Sequence, residues 1–547
     1  MSGVLVRLCG AVLAGLGLFA AFPPLSYGIL APVSIAVLLL VAAHCRPSAG
    51  FGYGLLSGCI FFSLHFSWAG EASGDLIPQL ALAFSQALFT GLVVATWSAM
   101  CRARWTRCPL IFLPAVALVW AGAELARSLW PFGGIAWGTL AFSQVDSPLV
   151  RLAPWGSTML VSAAVVICGA ALSLALMRVR SGRLFAGASL ALSAALLFAL
   201  PWALPLPATA PTGSLRIGYA QGIVPRAGSL PEGRDQALTV TENLSAATRA
   251  INPEEVDLVV WPESASDHDI REHPRARALV SETSTYLGVP LLLGTQSYER
   301  DATGQAVSRT NDLVVYLPTE TGGEVSAVYS KQHPVPFGEY MPYRDFFRKF
   351  SSAVDLVSVD MRAGTTPAVL DIPVGERAPE EEPATAESRA GGETGTPGAK
   401  NTPGAQNATV RLATPICFEV ALGDVGSEAI RQGAQLYVVA TNNASFGDSA
   451  ESAQQFDMVR FRAVEYQRLA LQVSTVGISG VVETNGAVRE RTEPWTQAAH
   501  TTTVALHEGL TPAARFYPYY RDGLLAAAAA VGGIAWVWYA RLRWKKG

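Results

Sequence analysis

Long apolar segments constrain this chain more than any other feature of its sequence. Eight of them approach the length of about 20 residues that a helix needs to cross the hydrocarbon core of a bilayer. They cover residues 3–21, 28–44, 51–70, 77–100, 109–127, 156–177, 184–204 and 524–540. Of the 547 residues, 50% are hydrophobic and only 15% are charged, which is unlike a soluble protein. We therefore predict a membrane domain over 1–205 with about seven transmembrane helices, and a C-terminal transmembrane helix with a basic tail over 522–547.

The basic residues between these segments predict how the chain crosses the membrane, because Lys and Arg favour cytoplasmic loops. They follow the second, fourth, sixth and last segments. These residues are Arg46, Arg102, Arg104, Arg107, Arg178, Arg180, Arg183, Arg541, Arg543, Lys545 and Lys546. All of them fall on one side if both termini are cytoplasmic. The polar segment 206–521 is then predicted to be extracytoplasmic.

Two features of the membrane domain leave a structural and a functional interpretation open. The segment 130–137 (WPFGGIAW) is predicted on the outer side, either as an interfacial aromatic belt or as a mouth that admits lipid. Glu124 and Arg127 lie one helical turn apart near the end of an apolar segment. An acid inside a membrane helix favours a functional role, and a simple pair with Arg127 at the interface is the alternative.

The polar segment alternates β-rich runs with helical stretches, which predicts an α/β domain whose sheet is covered by helices. The predicted strands are 215–220, 258–261, 290–294, 313–317, 325–329, 369–372, 410–415, 436–440, 471–476 and 480–483. The predicted helices are 231–250, 267–287, 421–432 and 449–468. Residues 375–408 are rich in Glu, Gly, Pro, Ala and Thr and cannot form a core. We predict that they form a disordered insertion between two strands.

The cysteines exclude several kinds of site. Six of the seven lie in the apolar N-terminal part, and none belongs to a CxxC pair. A zinc site or a disulfide framework is therefore not expected, and we predict no metal and no other cofactor. The net charge of −3 argues against nucleic acid as a partner.

Cys417, the one cysteine of the polar segment, follows the predicted strand 410–415 and precedes the predicted helix 421–432. We expect its thiol at a strand-to-helix elbow, facing the positive end of the helix. Such a position lowers a thiol pKa and offers backbone N–H groups to an oxyanion. The alternative is a buried structural cysteine.

Two other strands also end in a reactive group. Glu263 follows the strand 258–261, and Lys331 follows the strand 325–329, at the strand ends where α/β sheets commonly build sites. A carboxylate can take the proton of a thiol, and an ammonium can stabilise a thiolate and an oxyanion. Taken singly, each of them could be an ordinary surface charge. For His333 we favour a packing or capping role over a Cys–His pair.

These three stretches resemble the Glu–Lys–Cys triad of the nitrilase (carbon–nitrogen hydrolase) superfamily, whose fold is an α-β-β-α sandwich. Together with the apolar segments, the chain resembles the membrane-embedded branch of that superfamily, the apolipoprotein N-acyltransferases. The most specific match is Lys331 with the residues 335–340 (VPFGEY). Further matches are 446–448 (FGD) with Arg460, Arg462 and Glu465, 511–516 (TPAARF), 21–24 (AFPP), 52–54 (GYG), and Trp137 ahead of 142–144 (FSQ).

The resemblance implies a role for each matching residue. Cys417 would be the nucleophile, Glu263 the general base and Lys331 the cation that stabilises the oxyanion. The supporting or substrate-binding residues would be Glu339, Glu419, Trp137, Phe418 and Phe446. Phe418 stands where a tyrosine is common in the family.

The resemblance also implies the reaction and the location. An acyl chain of a membrane phospholipid would pass through a Cys417 thioester to the N-terminal α-amine of a diacylglyceryl-cysteine lipoprotein, in a bacterial plasma membrane. The partners would be the phospholipid donor and the diacylated acceptor. Two alternatives stay open: a membrane-tethered amidohydrolase acting on a small amide, and a transporter or scaffold with a degenerate binding domain.

Overall fold

The computed structural model describes residues 2–226, 230–320, 322–375 and 408–544. Apart from its two end residues, the predicted insertion 375–408 lies outside the described residues. The same holds for Lys545 and Lys546 of the predicted basic tail.

The apolar N-terminal part forms eight helices, and a ninth apolar helix ends the described chain. The bounds are α1 Ser2–Ala20, α2 Leu30–Ala43, α3 Pro47–His65, α4 Ser67–Ser73, α5 Leu76–Met100, α6 Pro109–Leu129, α7 Ala153–Arg180, α8 Leu184–Ala199 and, at the C-terminus, Pro512–Trp544. Within the described ranges, seven helices are long and apolar enough to cross a membrane by length and composition: α1, α3, α5, α6, α7, α8 and the C-terminal helix.

Two predicted segments differ from the structure. Segment 28–44 forms only the 14-residue α2, about 21 Å long at 1.5 Å per residue, which is shorter than the hydrocarbon core. The chain between α2 and α3 includes Arg46, which is extended as expected for the residue before Pro47. Segment 51–70 is divided at Phe66 between α3 and α4.

Small residues bring two of the long helices into close contact. Gly54 and Gly58 of α3 face α5, where an added Cβ would lie 2.7 Å from the carbonyl oxygen of Thr90 and 2.9 Å from the Cα atom of Ala87. Only glycine fits at these positions. This is the packing by which small residues hold helices together in lipid.

The described residues of the polar part form twelve strands in two six-stranded sheets. The bounds are β1 Ala210–Gln221, β2 Leu258–Val260, β3 Leu291–Arg300, β4 Ala306–Leu317, β5 Glu324–Ser330, β6 Val369–Val374, β7 Ala408–Ala413, β8 Leu436–Thr441, β9 Ala470–Ser474, β10 Gly480–Val482, β11 Val488–Arg491 and β12 Ala498–Glu508. One sheet has the order β12-β1-β2-β3-β4-β5 and the other β11-β10-β9-β8-β7-β6. All predicted strands are present, and β11 and β12 are additional.

The described residues of the polar part also form five α-helices, and the C-terminal helix Pro512–Trp544 is therefore α14. The bounds are α9 Gln236–Thr248, α10 Pro274–Leu287, α11 Arg344–Phe347, α12 Gly423–Arg431 and α13 Glu451–Tyr466. Helix α9 contacts β1 and β12 of the first sheet, whereas α12 contacts β7 and α13 contacts β9 of the second. The sheets also contact each other through β1 and β9 and through β5 and β6. The prediction of apolar helices combined with an α/β part is confirmed.

Candidate active site

Cys417 lies at a sharp turn after β7. Its φ angle of 51° is in the left-handed region, which is strained for a residue with a side chain. The turn continues as a 3-10 helix, Cys417–Ala421, and α12 begins only at Gly423. The sequence predicted that the strand passes through one elbow at Cys417 into a helix over 421–432. In the structure, Cys417 instead begins a separate short 3-10 turn that precedes this helix.

The turn is held by the carboxylate of Glu419, a fully buried side chain. Its Oε2 accepts from the N–H of Ile416 (2.8 Å), and its Oε1 accepts from the N–H groups of Gln332 (2.7 Å) and His333 (3.0 Å). The Tyr329 hydroxyl donates to both oxygens, at 3.0 and 2.8 Å. Glu419 therefore joins the cysteine turn to the segment that follows β5 and carries Lys331.

Glu263 follows β2 and is only 4% exposed. Its Oε1 accepts from Asn311 Nδ2 (2.5 Å), and its Oε2 accepts from the N–H of Asn442 (2.8 Å). Burial raises the pKa of this carboxyl above its ordinary value, and the charge of Glu339 adds to that. The charge of Lys331 and the two hydrogen bonds act in the opposite direction.

Lys331 is 1% exposed and lies between two carboxylates. Its Nζ is 2.6 Å from Glu339 Oε1 and 3.6 Å from Glu263 Oε1. Burial lowers the pKa of the ammonium, but the charges of Glu339, Glu263 and Cys417 together outweigh burial and raise the pKa above its ordinary value. Glu339 Oε2 also accepts from the N–H of Val335 (2.7 Å), which orients the carboxylate. The two carboxylates therefore favour the ammonium form of Lys331.

The electrostatics of Cys417 differ from the sequence prediction. Burial raises the pKa of the thiol, the charge of Glu263 raises it further, and the charge of Lys331 lowers it. The net direction is upward, so the prediction of a lowered thiol pKa is wrong. The reason is that the thiol, 9% exposed, has lost most of its water. A resting thiol beside a carboxylate needs a base to remove its proton.

A row of aromatic rings lies beside Cys417 and includes both predicted and unpredicted residues. The ring of Phe418 stacks on Trp137, with centroids 6.0 Å apart and an interplanar angle of 7°. Trp68 of α4 contacts Trp137 (5.7 Å) and Phe446 (5.4 Å) edge to face. The structure thus brings Trp137, Phe418 and Phe446 together through Trp68, whose position the sequence analysis did not single out.

Trp137 is fixed from both parts of the molecule. Its Nε1 donates to Gln454 Oε1 of α13 (2.7 Å). Arg127 Nη1 of α6 donates to the carbonyl oxygens of Ile135 and Trp137, each at 2.8 Å. Glu124 Oε1 accepts from the N–H of Leu140 (2.9 Å). Both charged residues therefore bind the backbone of the segment that carries Trp137.

Comparison with known proteins identifies the family. A family model for the apolipoprotein N-acyltransferase N-terminal domain matches residues 14–171. The apolipoprotein N-acyltransferase of Mycolicibacterium smegmatis is 32% identical over 97% of this chain and 85% of its own length. The chain belongs to the apolipoprotein N-acyltransferase family. The Pseudomonas aeruginosa member is 29% identical over 93% of this chain and 91% of its own length.

Among solved structures, an amidase from Nesterenkonia sp. AN1 of the nitrilase superfamily is similar to part of this apolipoprotein N-acyltransferase family member. The match covers 58% of this chain and 99% of the amidase, with 15% sequence identity and a TM-score of 0.37.

Several polar residues of this family member contact the predicted site residues without having been predicted themselves. Asn311 and Asn442 bind Glu263, Gln454 binds Trp137, and Gln455 Nε2 donates to Cys417 Sγ (3.5 Å). Asn311 lies in the middle of β4 and the two glutamines lie on α13, where nothing in the local sequence distinguishes them from core polar residues.

Proposed function

We propose that this chain transfers an acyl chain from a membrane phospholipid to the N-terminal α-amine of a diacylglyceryl-cysteine apolipoprotein. Membership of the apolipoprotein N-acyltransferase family over nearly the whole chain carries this proposal. Glu263 and Lys331 lie 3.6 Å apart and both act electrostatically on the buried thiol of Cys417, which supports a covalent mechanism.

In the first half-reaction, Glu263 takes the proton of Cys417, and the sulfur attacks the ester carbonyl of the phospholipid. The C–O bond of the ester breaks, the proton passes from Glu263 to the departing oxygen, and a lysophospholipid leaves. The donors from Asn311 and Asn442 favour the ionised form of Glu263, which is the form that acts as a base.

Lys331 is suited to stabilise the negative charge on the carbonyl oxygen during attack. Glu339 accepts from its Nζ and holds the ammonium in place. The first backbone hydrogen bond of the turn runs from the N–H of Glu419 to the carbonyl oxygen of Ile416 (3.1 Å). The N–H of Phe418 comes before it in the turn, as the first N–H groups of a helix do, and is a second candidate donor to the carbonyl oxygen of the substrate.

In the second half-reaction, the neutral α-amine of the acceptor attacks the thioester. The C–S bond breaks, an amide forms, and Glu263 passes the proton of the amine to the departing thiolate. Trp137, Phe418, Trp68 and Phe446 form an apolar wall beside Cys417. This wall supports transfer to the amine rather than hydrolysis, because it keeps water from the thioester.

The arrangement in the membrane is part of the proposal. Residues 1–205 and 522–547 would be membrane-embedded in a bacterial plasma membrane, and residues 206–521 would form an extracytoplasmic catalytic domain with α-β-β-α layers. The basic residues between the apolar helices support this orientation. An extracytoplasmic site next to the bilayer suits two substrates that are both anchored in lipid.

Intact-protein mass spectrometry tests the reaction. The detergent-purified protein is mixed with phospholipid alone, beside a Cys417→Ser control. We expect an acyl-sized, hydroxylamine-labile mass on the wild type only, and its transfer to the amine of an added diacylated lipopeptide. No adduct on folded protein, with hydrolysis of small amides instead, would favour a tethered amidohydrolase.

Accessibility labelling tests the orientation. A cysteine is introduced at the exposed Thr303 and treated in intact cells with a membrane-impermeant maleimide, beside the native exposed Cys108. We expect labelling at position 303 and protection of Cys108 until the membrane is opened. The reverse pattern would contradict the extracytoplasmic placement.

A further inference from the structure

The amide side chain of Gln455 contacts the sulfur that the proposed reaction uses. Gln455 lies in the first turns of α13 and is fully buried. Its Nε2 donates to Cys417 Sγ at 3.5 Å, within the range of a hydrogen bond to sulfur. A buried amide with one N–H group aimed at a thiol is positioned to stabilise negative charge on that sulfur.

The orientation of this amide is fixed by two donors. Thr441 Oγ1 and Asn443 Nδ2 both donate to Gln455 Oε1, each at 2.9 Å. If the amide were flipped, its NH2 group would face the NH2 group of Asn443, so the oxygen is placed on that side and the NH2 group on the side of the thiol.

The donor Asn443 is itself held from two sides. Its Nδ2 also donates to Glu451 Oε2 (2.7 Å), and its Oδ1 accepts from the Ser474 hydroxyl (2.5 Å). Both Asn443 and Glu451 are 2% exposed. The network therefore extends from the end of β8 and the start of α13 to the sulfur.

We propose that Gln455 is a further catalytic residue, which stabilises the thiolate of Cys417 through its Nε2–H group. The inference rests on the proposed thioester chemistry. In the first half-reaction, the S–H bond breaks, the proton goes to Glu263, and the sulfur holds the electron pair until it bonds to the acyl carbon. In the second, the C–S bond breaks and the same pair returns to sulfur. Gln455 donates to sulfur at both stages.

Three charged or titratable groups also act on this thiol, and the experiment keeps all of them. Glu263 follows β2, Lys331 follows β5, and Glu451 begins α13. Burial and the charge of Glu263 raise the pKa of Glu451 to about 8. These groups set the thiol pKa of the wild type, so the effect of Gln455 is measured as a shift relative to the wild type.

The test is the pH profile of Cys417 alkylation by iodoacetamide in the detergent-solubilised protein, followed by mass spectrometry of the digested peptide that contains Cys417, because Cys9 and Cys108 are also exposed. Gln455→Glu retains an oxygen for Thr441 and Asn443 but replaces the NH2 group with oxygen. Gln455→Met removes the donor without adding charge. We expect both profiles to move to higher pH by about one unit, which is about tenfold less thiolate at a given pH. Thioester formation should fall by a similar factor.

Gln454→Met is the matched control, because Gln454 is the neighbouring glutamine of α13 and binds Trp137 rather than the sulfur. Its alkylation profile should follow the wild type. Superimposed profiles for wild type and both Gln455 variants would overturn the inference, as would a shift in Gln455→Glu alone, which would reflect added charge. If Gln455→Met does not fold, Gln455→Ala takes its place as the uncharged variant, and an unshifted profile of that variant would overturn the inference.

Alkylation requires no lipid, so this comparison remains valid even if the wild type forms no acyl adduct. Failure of the acyl adduct would count against the proposed function, and failure of the pH shift would count against Gln455.

Discussion

At the scale of single residues, Glu419 is the carboxylate on which the geometry of the site depends most directly. Each of its oxygens accepts from at least one backbone N–H group as well as from Tyr329. In Glu419→Gln, either orientation of the amide turns an NH2 group toward a backbone donor. We expect a loss of about 2–3 kcal/mol in the free energy of unfolding, because a buried donor is left unsatisfied, together with a large loss of thioester formation.

Tyr329→Phe is the control for Glu419, because it removes one donor and leaves the backbone donors in place. Its cost should be about 1 kcal/mol, measured by thermal unfolding in detergent. Equal stability of Glu419→Gln and Tyr329→Phe would contradict the bridging role of Glu419.

A second prediction concerns the pH dependence that Glu263 imposes. The pKa of Glu263 in the folded protein is raised above that of an ordinary Glu. Because only the ionised form can take the thiol proton, thioester formation should be lost as the pH falls through this raised pKa. Asn311 donates to the ionised form and lowers that pKa. In a plot of the rate of thioester formation against pH, Asn311→Ala should therefore move the acidic limb to higher pH by about one unit.

The measurement for Asn311→Ala is the rate of acyl-adduct formation against pH, beside the wild type. Gln296→Ala, at a buried polar position of the adjacent strand β3, is the control and should leave the limb in place. A limb that moves to lower pH in Asn311→Ala would contradict the role of Asn311.

The positions of Cys417, Glu263 and Lys331 after strands could be predicted from the sequence, but the environments of these side chains could not. Each of them follows an apolar strand, and this local pattern can be read directly. The raised pKa of the Cys417 thiol depends on burial by distant elements. Gln455 approaches the sulfur only when α13 packs against the cysteine turn. Contacts of this kind have no signature in the local sequence.

At the scale of secondary-structure elements, Arg462 of α13 holds the turn that follows Cys417. Its Nε and Nη2 donate to the carbonyl oxygens of Val420 and Ala421, both at 2.8 Å, and its guanidinium pairs with Glu465. All of these contacts are buried. Arg462→Met should cost about 3–5 kcal/mol in the free energy of unfolding, because it leaves the charge of Glu465 buried without its partner.

The double variant Arg462→Met, Glu465→Met separates stability from positioning. Replacing a buried pair with apolar residues is often neutral for stability, so most of the lost stability should return, as measured by thermal unfolding. Thioester formation should stay low, because the carbonyl groups of the turn still lack their donor. Recovery of full activity in the double variant would refute the positioning role of Arg462.

The two strands that could not be predicted contain few large apolar residues, unlike the edge strands β5 and β6, which were predicted. Strand β12 contains few large apolar residues and lies at the edge of its sheet, where it pairs only with β1 among the described strands. Strand β11 is the corresponding edge of the other sheet and is mostly exposed. The central strand β8 is buried along its whole length and reads as a continuous apolar run. Burial on both faces therefore makes a strand easier to predict.

At the scale of the whole molecule, the apolar helices and the α/β part are joined next to Cys417. Gln454 of α13 binds Trp137, which follows α6, and Arg460 of α13 pairs with Asp146. Tyr340 donates to the carbonyl oxygen of Phe132 (2.9 Å). The sequence predicted a membrane part and an α/β part as separate regions, but the contacts between residues hundreds of positions apart could not be inferred without the structure.

This junction gives Arg127 a role that can be tested separately from the chemistry. Arg127→Met removes both hydrogen bonds to the carbonyl oxygens of Ile135 and Trp137, and with them the support that holds Trp137 against Phe418. We expect thioester formation from phospholipid to fall about tenfold, the effect of one or two lost hydrogen bonds from a charged donor. Alkylation of Cys417 by iodoacetamide should change less than about twofold, because the reagent is small and needs no aromatic wall.

Arg151→Met is the matched control for Arg127→Met, because Arg151 also donates to a backbone carbonyl of the apolar part, but to that of Leu204 rather than to those of Ile135 and Trp137. Both reactions should stay near the wild-type rate in this variant. If Arg127→Met slowed alkylation as much as acyl transfer, Arg127 would act on the thiol or on folding in general. A selective loss of the phospholipid reaction would mean that the membrane helices shape the site for its lipid substrate through the position of Trp137.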